Sequence, residues 1–304
     1  ILKNGNPPMS LYTLLGALEI GLIFSLVALG VYISFRLLRF PDLTVDGSFP
    51  LGGAVAATMI AAGYDPFTAT IVATLAGAVA GLVTGWLNVS LKIMDLLASI
   101  LMMIALYSIN LRIMGKPNVP LITERTVFNL LQPEAMADYV FRPLLLVLVV
   151  LVVKLLLDGF FSTESGLAIR ATGSNARMAR AQGVHTGLAV LAGMALSNAL
   201  VGLAGALFAQ TQGGADISMG VGTIVIGLAA VIVGESLLPS RKLYLATIAV
   251  IVGAIVYRFF IALALNSDFI GLQAQDLNLV TALLVTVALV VPRLRAHWSG
   301  KKGA

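Results

Sequence analysis

Cysteine is absent from this chain of 304 residues, histidine occurs only twice, and charged side chains make up 11%. Without thiols there is no disulfide, no cysteine nucleophile and no thiolate metal site. His185 and His297 stand far apart with no HExxH motif, which leaves a histidine metal centre without its usual pattern. No GxxxxGK[ST] loop is present either. Gly115-Lys116 and Gly300-Lys301 lack the upstream glycine and the following Ser or Thr, so the chain has no motif of its own for cradling a nucleotide. The shortage of charge decides the broad class. Soluble domains carry about 25% charged residues, whereas here 59% are hydrophobic and the mean hydropathy is +0.99. So few polar side chains cannot cover a globule of this size, and the natural solvent for most of the chain is lipid.

The apolar residues fall into nine runs long enough to be read as membrane helices: 11–37, 48–63, 67–91, 95–114, 143–161, 186–209, 221–238, 243–264 and 276–292. A helix needs about 20 apolar residues to cross a bilayer. Strand-like alternation is missing, so these are helices and not a barrel. The first residue is Ile1, which leaves the native start open. The run 11–37 is too long for a signal-peptide core and no cleavage site follows it, so it reads as a retained span. The net charge of +5 reflects basic residues between apolar runs, which points to membrane topology and not to nucleic acid. With the N-terminus outside and the C-terminus inside, the inner segments hold most of the Lys and Arg residues. Arg170, Arg177, Arg180, Arg293 and Arg295 are among them. No linker divides the chain, so 1–304 is expected to be a single all-α membrane domain. It has one long outer loop, 115–142, and one long inner loop, 162–185.

Sliding the chain against itself by 174 residues aligns "PDLTVDGSFPLGGAVAA" with "ADISMGVGTIVIGLAAV". Asp42 then falls on Asp216, Thr44 on Ser218 and Gly53 on Gly227. The same offset superposes the first four runs on the last four and leaves the fifth between them. Because an odd number of spans separates the halves, this is an inverted repeat arranged four, one, four. Short spans at matching places in two halves point to a transport pathway. Asp42, Thr44, Asp46 and Ser48, with Asp216 and Ser218, are therefore the candidate pathway or gate residues. They are expected to line the gates or an interface between two subunits, one group towards each face. A plainer reading of Asp42 and Asp46 is that they cap the helix starting near Ser48, where free N–H groups favour a carboxylate. Two buried charges, Glu19 and Arg258, are expected to need partners, and depth suggests Arg258 or Arg112 for Glu19. Met102, Met103 and Tyr107 suit either an apolar pathway wall or ordinary packing.

The inner loop, "SGLAIRATGSNARMARAQGVHTG", is basic and alanine-rich. It is expected to be helical from about Ser174 to Ala181, with Ser174 or Asn175 as cap. Such a helix is a handle for a cytosolic partner or an anchor on anionic lipid. Here the chain resembles a known family. "GLAIRATGSNARMARAQGVHTGLAVLAGMALSNALVGLAGALFAQTQG" and "GVGTIVIGLAAVIVGESL" are similar to the permeases of ATP-binding-cassette importers for branched-chain amino acids, ribose and nucleosides. "FPDLTVDGSFPLGGAV" resembles a branch of that family associated with extracytoplasmic binding proteins, some linked to aromatic amino acids. The resemblance implies a multi-pass protein of the bacterial cytoplasmic membrane that imports a small solute. It also implies that Arg170, Arg177, Met178 and Arg180 belong to a coupling helix docking on a separate ATPase. A solute-binding protein and a second permease subunit, with a homodimer expected, would complete the assembly. ATP would be used by the partner, and no cofactor would bind this chain. A secondary ion-coupled transporter and an intramembrane enzyme are the alternatives. The latter lacks any nucleophile–base spacing among the polar residues of the spans.

Overall fold

The computed structural model describes residues 11–133, 136–240, 242–265 and 286. Helix α1 (Leu11–Val31) continues into a π-helical turn, Tyr32–Leu37. It is followed by α2 (Val45–Ala61), α3 (Pro66–Val89) and α4 (Asp95–Met114). The outer loop carries a short strand β1 (Asn118–Pro120) and a helical turn α5 (Val127–Leu131) before α6 (Asp138–Ser162). Two short helices follow, α7 (Glu164–Ser174) and α8 (Ala176–Ala181). The chain then runs through α9 (Thr186–Gln212), β2 (Gly214–Asp216), α10 (Thr223–Leu237) and α11 (Leu243–Leu265). Among the described residues, six helices are long and apolar enough to cross a membrane, while α2 and α10 are shorter. The expected ninth span, 276–292, lies outside the described residues.

Local chemistry sets the helix ends. Asp65 accepts the amides of Phe67 at 3.0 Å and Thr68 at 3.1 Å, with Pro66 opening α3; a carboxylate cap followed by proline suits a helix start. Gly115 ends α4 with φ 65° and Gly213 ends α9 with φ 75°, the left-handed turn that glycine adopts without a steric penalty.

Glycine also sets the packing. Helix α9 lies antiparallel to α3: Gly85 faces Leu191, Gly81 faces Met194, and Gly77 faces Asn198 and Gly202. A Cβ on Gly81 would come within 2.1 Å of the Met194 carbonyl oxygen, so the backbones meet with nothing between them. In lipid, helices associate by such close contact because apolar burial gives no advantage over the acyl chains. Helix α2 packs on α3, α4 and α9, and α10 packs on α1 and α11.

These contacts interlock the halves. Shifted by 174 residues, α1 falls on α9, α2 on α10 and α3 on α11. Pro66–Val89 lands on 240–263, against an observed Leu243–Leu265. The α2–α3–α9 bundle thus corresponds to α10–α11–α1, each half lending its first helix to the other. Corresponding helices also run in opposite directions. Leu38 sits at Gly193, Gly30 at Ser197 and Val201, and the Phe24 ring at Phe208, 6.1 Å between centroids. Helices α1 and α9 are therefore antiparallel.

The two ends of the molecule differ. At one end β1 pairs with β2, Asn118 opposite Asp216 and Val119 opposite Ala215; we call this the ladder end. At the other, α7 and α8 project between α6 and α9; this is the loop end. Lys154 pairs with Asp158 at 2.6 Å within α6, and Asp158 also accepts the Thr247 hydroxyl of α11 at 2.9 Å. Arg36, in the π-helical turn, pairs with Glu235 near the end of α10.

Candidate transport pathway and coupling surface

Asp42, Thr44 and Ser48 are fully buried within their own chain. After α1 the backbone turns at Arg39, a left-handed residue with φ 57°, and drops Asp42 between α2 and α9. The Asp42 Oδ1 accepts the Thr44 amide at 3.0 Å, and its Oδ2 accepts the Asn198 side-chain amide at 2.8 Å. Ser48 donates to the Asn198 Oδ1 at 2.7 Å, and the hydroxyls of Thr44 and Thr84 lie 2.9 Å apart. A carboxylate this deep needs donors on both oxygens, and Asn198 and Thr44 supply them. The network joins α2, α3 and α9 at a single level.

Asp46 does something different. It stands in the first turn of α2, where the plainer reading has it capping its own helix, but its carboxylate accepts amides at the start of α10. Ile224 donates at 2.7 Å and Gly222 at 3.3 Å. The sequence places Asp46 four residues after Asp42 and gives no sign that position 222 would arrive opposite it.

The second candidate group lies at the ladder end. Asp216 Oδ1 accepts the Ser218 amide at 2.8 Å and also the Ser218 hydroxyl, and the Asn118 amide donates to its Oδ2 at 3.4 Å. These donors hold the Asp216 carboxyl below the usual carboxylate range, Ser218 contributing most. The pairing Asp42–Thr44 is thereby repeated by Asp216–Ser218: each carboxylate takes the N–H two residues on. The first is buried near the loop-end half of α9, while the second is partly open at the ladder end.

Glu19 has another neighbour than the two expected. Arg258 turns its guanidinium over the Phe24 ring, 4.5 Å from the centroid, and the cation acting on Glu19 is Arg142 of α6. Helix α6 brings Arg142 to the ladder end of α1, a proximity that depth along the chain could not reveal. The Glu19 Oε1 is buried without a hydrogen bond. Met102 is buried, whereas Tyr107 is 56% exposed on the outer side of α4.

The inner loop holds two helices where one was expected. Asn175 breaks it and caps α8, accepting the amides of Arg177 and Met178, each at 3.1 Å. The additional helix, α7, has the Thr163 side chain accepting from Gly166 at its start. Its Ile169 and Thr172 face inward, while Arg170, Arg177, Met178 and Arg180 are all exposed. A Cβ on Gly173 would lie 1.7 Å from the Leu37 carbonyl oxygen, so α7 sits directly on the end of α1. A cavity of about 380 Å³ opens beside this end, lined by Tyr32, Glu235, Ser240 and Ala249 among others. Among the described residues no group of three His, Cys, Asp or Glu could hold a metal.

These features define a multi-pass helical membrane protein with two related, interlocked halves. The chain belongs to the family of branched-chain amino acid transport system permease components, whose model matches residues 13–291. It is 39% identical over 274 residues to the tyrosine transport system permease protein of Clostridioides difficile (strain R20291), covering 90% of this chain and 89% of that one. It is 34% identical over 288 residues to an uncharacterised protein of Rickettsia prowazekii (strain Madrid E), covering 91% and 96%. The galactofuranose transporter permease protein YtfT of Escherichia coli (strain K12) is 26% identical over 261 residues, covering 84% and 72%. No solved structure matches the chain at a significant level.

Proposed function

We propose that the chain is the permease subunit of an ATP-binding-cassette importer that carries an amino acid with an aromatic side chain, L-tyrosine or a close analogue, into the cell. A separate cytosolic ATPase binds and hydrolyses ATP, an extracytoplasmic binding protein delivers the solute, and a second copy of the permease completes the pathway. The loop end then faces the cytosol and the ladder end faces outward, in a bacterial cytoplasmic membrane.

One observation carries this reading. The α7–α8 segment presents Arg170, Arg177, Met178 and Arg180 outward while Gly173 rests on Leu37. A partner gripping the exposed side therefore pushes on the end of α1. From there the chain leads within a few residues to Asp42, held by Asn198, and to Asp46, held by α10. A stiff element touching both partner and gate is what transmitting a nucleotide-driven movement requires. The 39% identity to a tyrosine transport permease favours an aromatic amino acid over a sugar.

The test is uptake in proteoliposomes holding the permease with its cognate ATPase and binding protein. ATP inside and labelled L-tyrosine outside should give uptake that unlabelled L-tyrosine suppresses and galactose does not. Uptake driven by a sodium or proton gradient without ATP would replace this reading with a secondary transporter.

A further inference from the structure

The two interlocked bundles meet along α1 and α9 and, separately, where α2 and α10 begin. Asp46 belongs to α2, yet both of its carboxylate oxygens accept amides at the start of α10, Ile224 at 2.7 Å and Gly222 at 3.3 Å. The Asp46 carbonyl closes on Gly220, where a Cβ would lie 2.1 Å from that oxygen and 2.5 Å from Pro50 Cδ. Pro50 stands inside α2 and has no N–H, so it offers nothing to the Asp46 carbonyl four residues back. The next carbonyl, of Gly47, accepts the Asn110 side-chain amide of α4 at 3.1 Å. The first turn of α2 therefore lacks one ladder bond, at the Asp46 carbonyl, and is tied to α4 at the next carbonyl. Beyond this turn, α2 packs on α3, α4 and α9, and α10 on α1 and α11.

We propose that Asp46 is a positioning residue of the transport cycle: its carboxylate clasps the start of α10 to the proline-weakened turn of α2, and the cycle opens and remakes that clasp. The inference rests on the transport reading above. Glycine contacts lock the helices within each bundle and also lock α1 to α9, whereas the starts of α2 and α10 are joined by the Asp46 carboxylate beside a proline, which makes that contact the part able to open. A helix turn interrupted by proline is where such a movement is absorbed. Charge-assisted hydrogen bonds hold the joint firmly when dry, and water can replace the amides on the carboxylate when it parts.

The chain has no native cysteine, so Thr223→Cys provides a single reporter at the start of α10. Thr223 is 1% exposed, and a methanethiosulfonate reagent reaches it only when that start lifts. In the purified full chain, adding Asp46→Ala should speed labelling at least about tenfold, the effect of losing one charge-assisted hydrogen bond. Asp46→Asn should fall between, because its Oδ1 still accepts one amide. Both variants are compared as monodisperse protein, and equal labelling rates in all three overturn the clasp. In the reconstituted transporter, Pro50→Ala restores an N–H to the ladder. It should slow L-tyrosine uptake several-fold while leaving the thermal unfolding midpoint unchanged or higher. Undiminished uptake overturns the hinge. Wild-type protein that takes up no tyrosine counts against the proposed solute, and the labelling rates, which need no solute or partner, still decide the clasp.

Discussion

Arg39 and Gly213, 174 residues apart, hold the same left-handed backbone, φ 57° and 75°. Each closes the first helix of its half, and each stands three residues before an aspartate whose carboxylate takes the N–H two residues on. The repeat survives in backbone geometry where side-chain identity has nearly gone. One half makes the turn with glycine; the other makes it with arginine.

That difference carries a cost. A left-handed residue with a Cβ is disfavoured by about 1–2 kcal/mol, and the Arg39 side chain is exposed, so little packing compensates. Arg39→Gly should stabilise the protein by about 1 kcal/mol, read as a higher thermal unfolding midpoint in detergent. Gly213→Ala should move the midpoint the other way.

The glycine contacts predict a graded series. Gly81→Ala places a methyl 2.1 Å from the Met194 carbonyl, and separating α3 from α9 should cost about 1–3 kcal/mol. Gly16→Ala meets nothing within 4 Å and sits inside α1, where alanine is favoured by roughly 0.5–1 kcal/mol. Unfolding midpoints of the two variants should lie on opposite sides of wild type.

Reversing Arg177 and Arg180 to glutamate should leave folding intact, because both side chains project from the loop end. The expected loss is in the partner: co-purification of the ATPase fails, or hydrolysis proceeds without uptake. A stable complex with normal transport would remove the coupling role from α8.

At the ladder end the effect of acid has a definite sign. The folded Asp216 carboxyl lies below its ordinary value because Ser218 and then Asn118 donate to it. Its contribution to stability is thus complete above the ordinary aspartate range and fades as pH falls through the lowered folded value. The difference in unfolding midpoint between wild type and Asp216→Asn should therefore be constant near neutrality and shrink in acid. Ser218→Ala should shift that fading to higher pH. The group is partly open to solvent, so the amplitude will be small.

Much of this architecture could be read from the chain. Long apolar runs mark the spans, and the Asp42–Asp216 alignment marks the repeat, because both depend on local composition. What escaped the reading depends on residues brought together from a distance. Nothing near Asp46 foretells Gly222 and Ile224, and nothing near Asn118 foretells a strand opposite Asp216. The cation beside Glu19 differs from the two expected for the same reason: three helices reach that level, and only packing decides which arginine acts on it. Asn198 was visible as a polar residue in an apolar helix, but its bond to Asp42 was not. The π-helical turn at Tyr32–Leu37 has no distinguishing sequence pattern.

The exchange of first helices sets an order on biosynthesis. Helix α1 leaves the ribosome before every other described helix, yet two of its partners, α10 and α11, are the last of the described helices to emerge. Until then it waits in the bilayer with Arg36 still separated from Glu235. Helix α9 meets no such delay, since α2 and α3 are already in place when it arrives. The membrane insertion machinery must therefore shelter the oldest helix longest, and a nascent chain arrested before α10 would expose it to quality control.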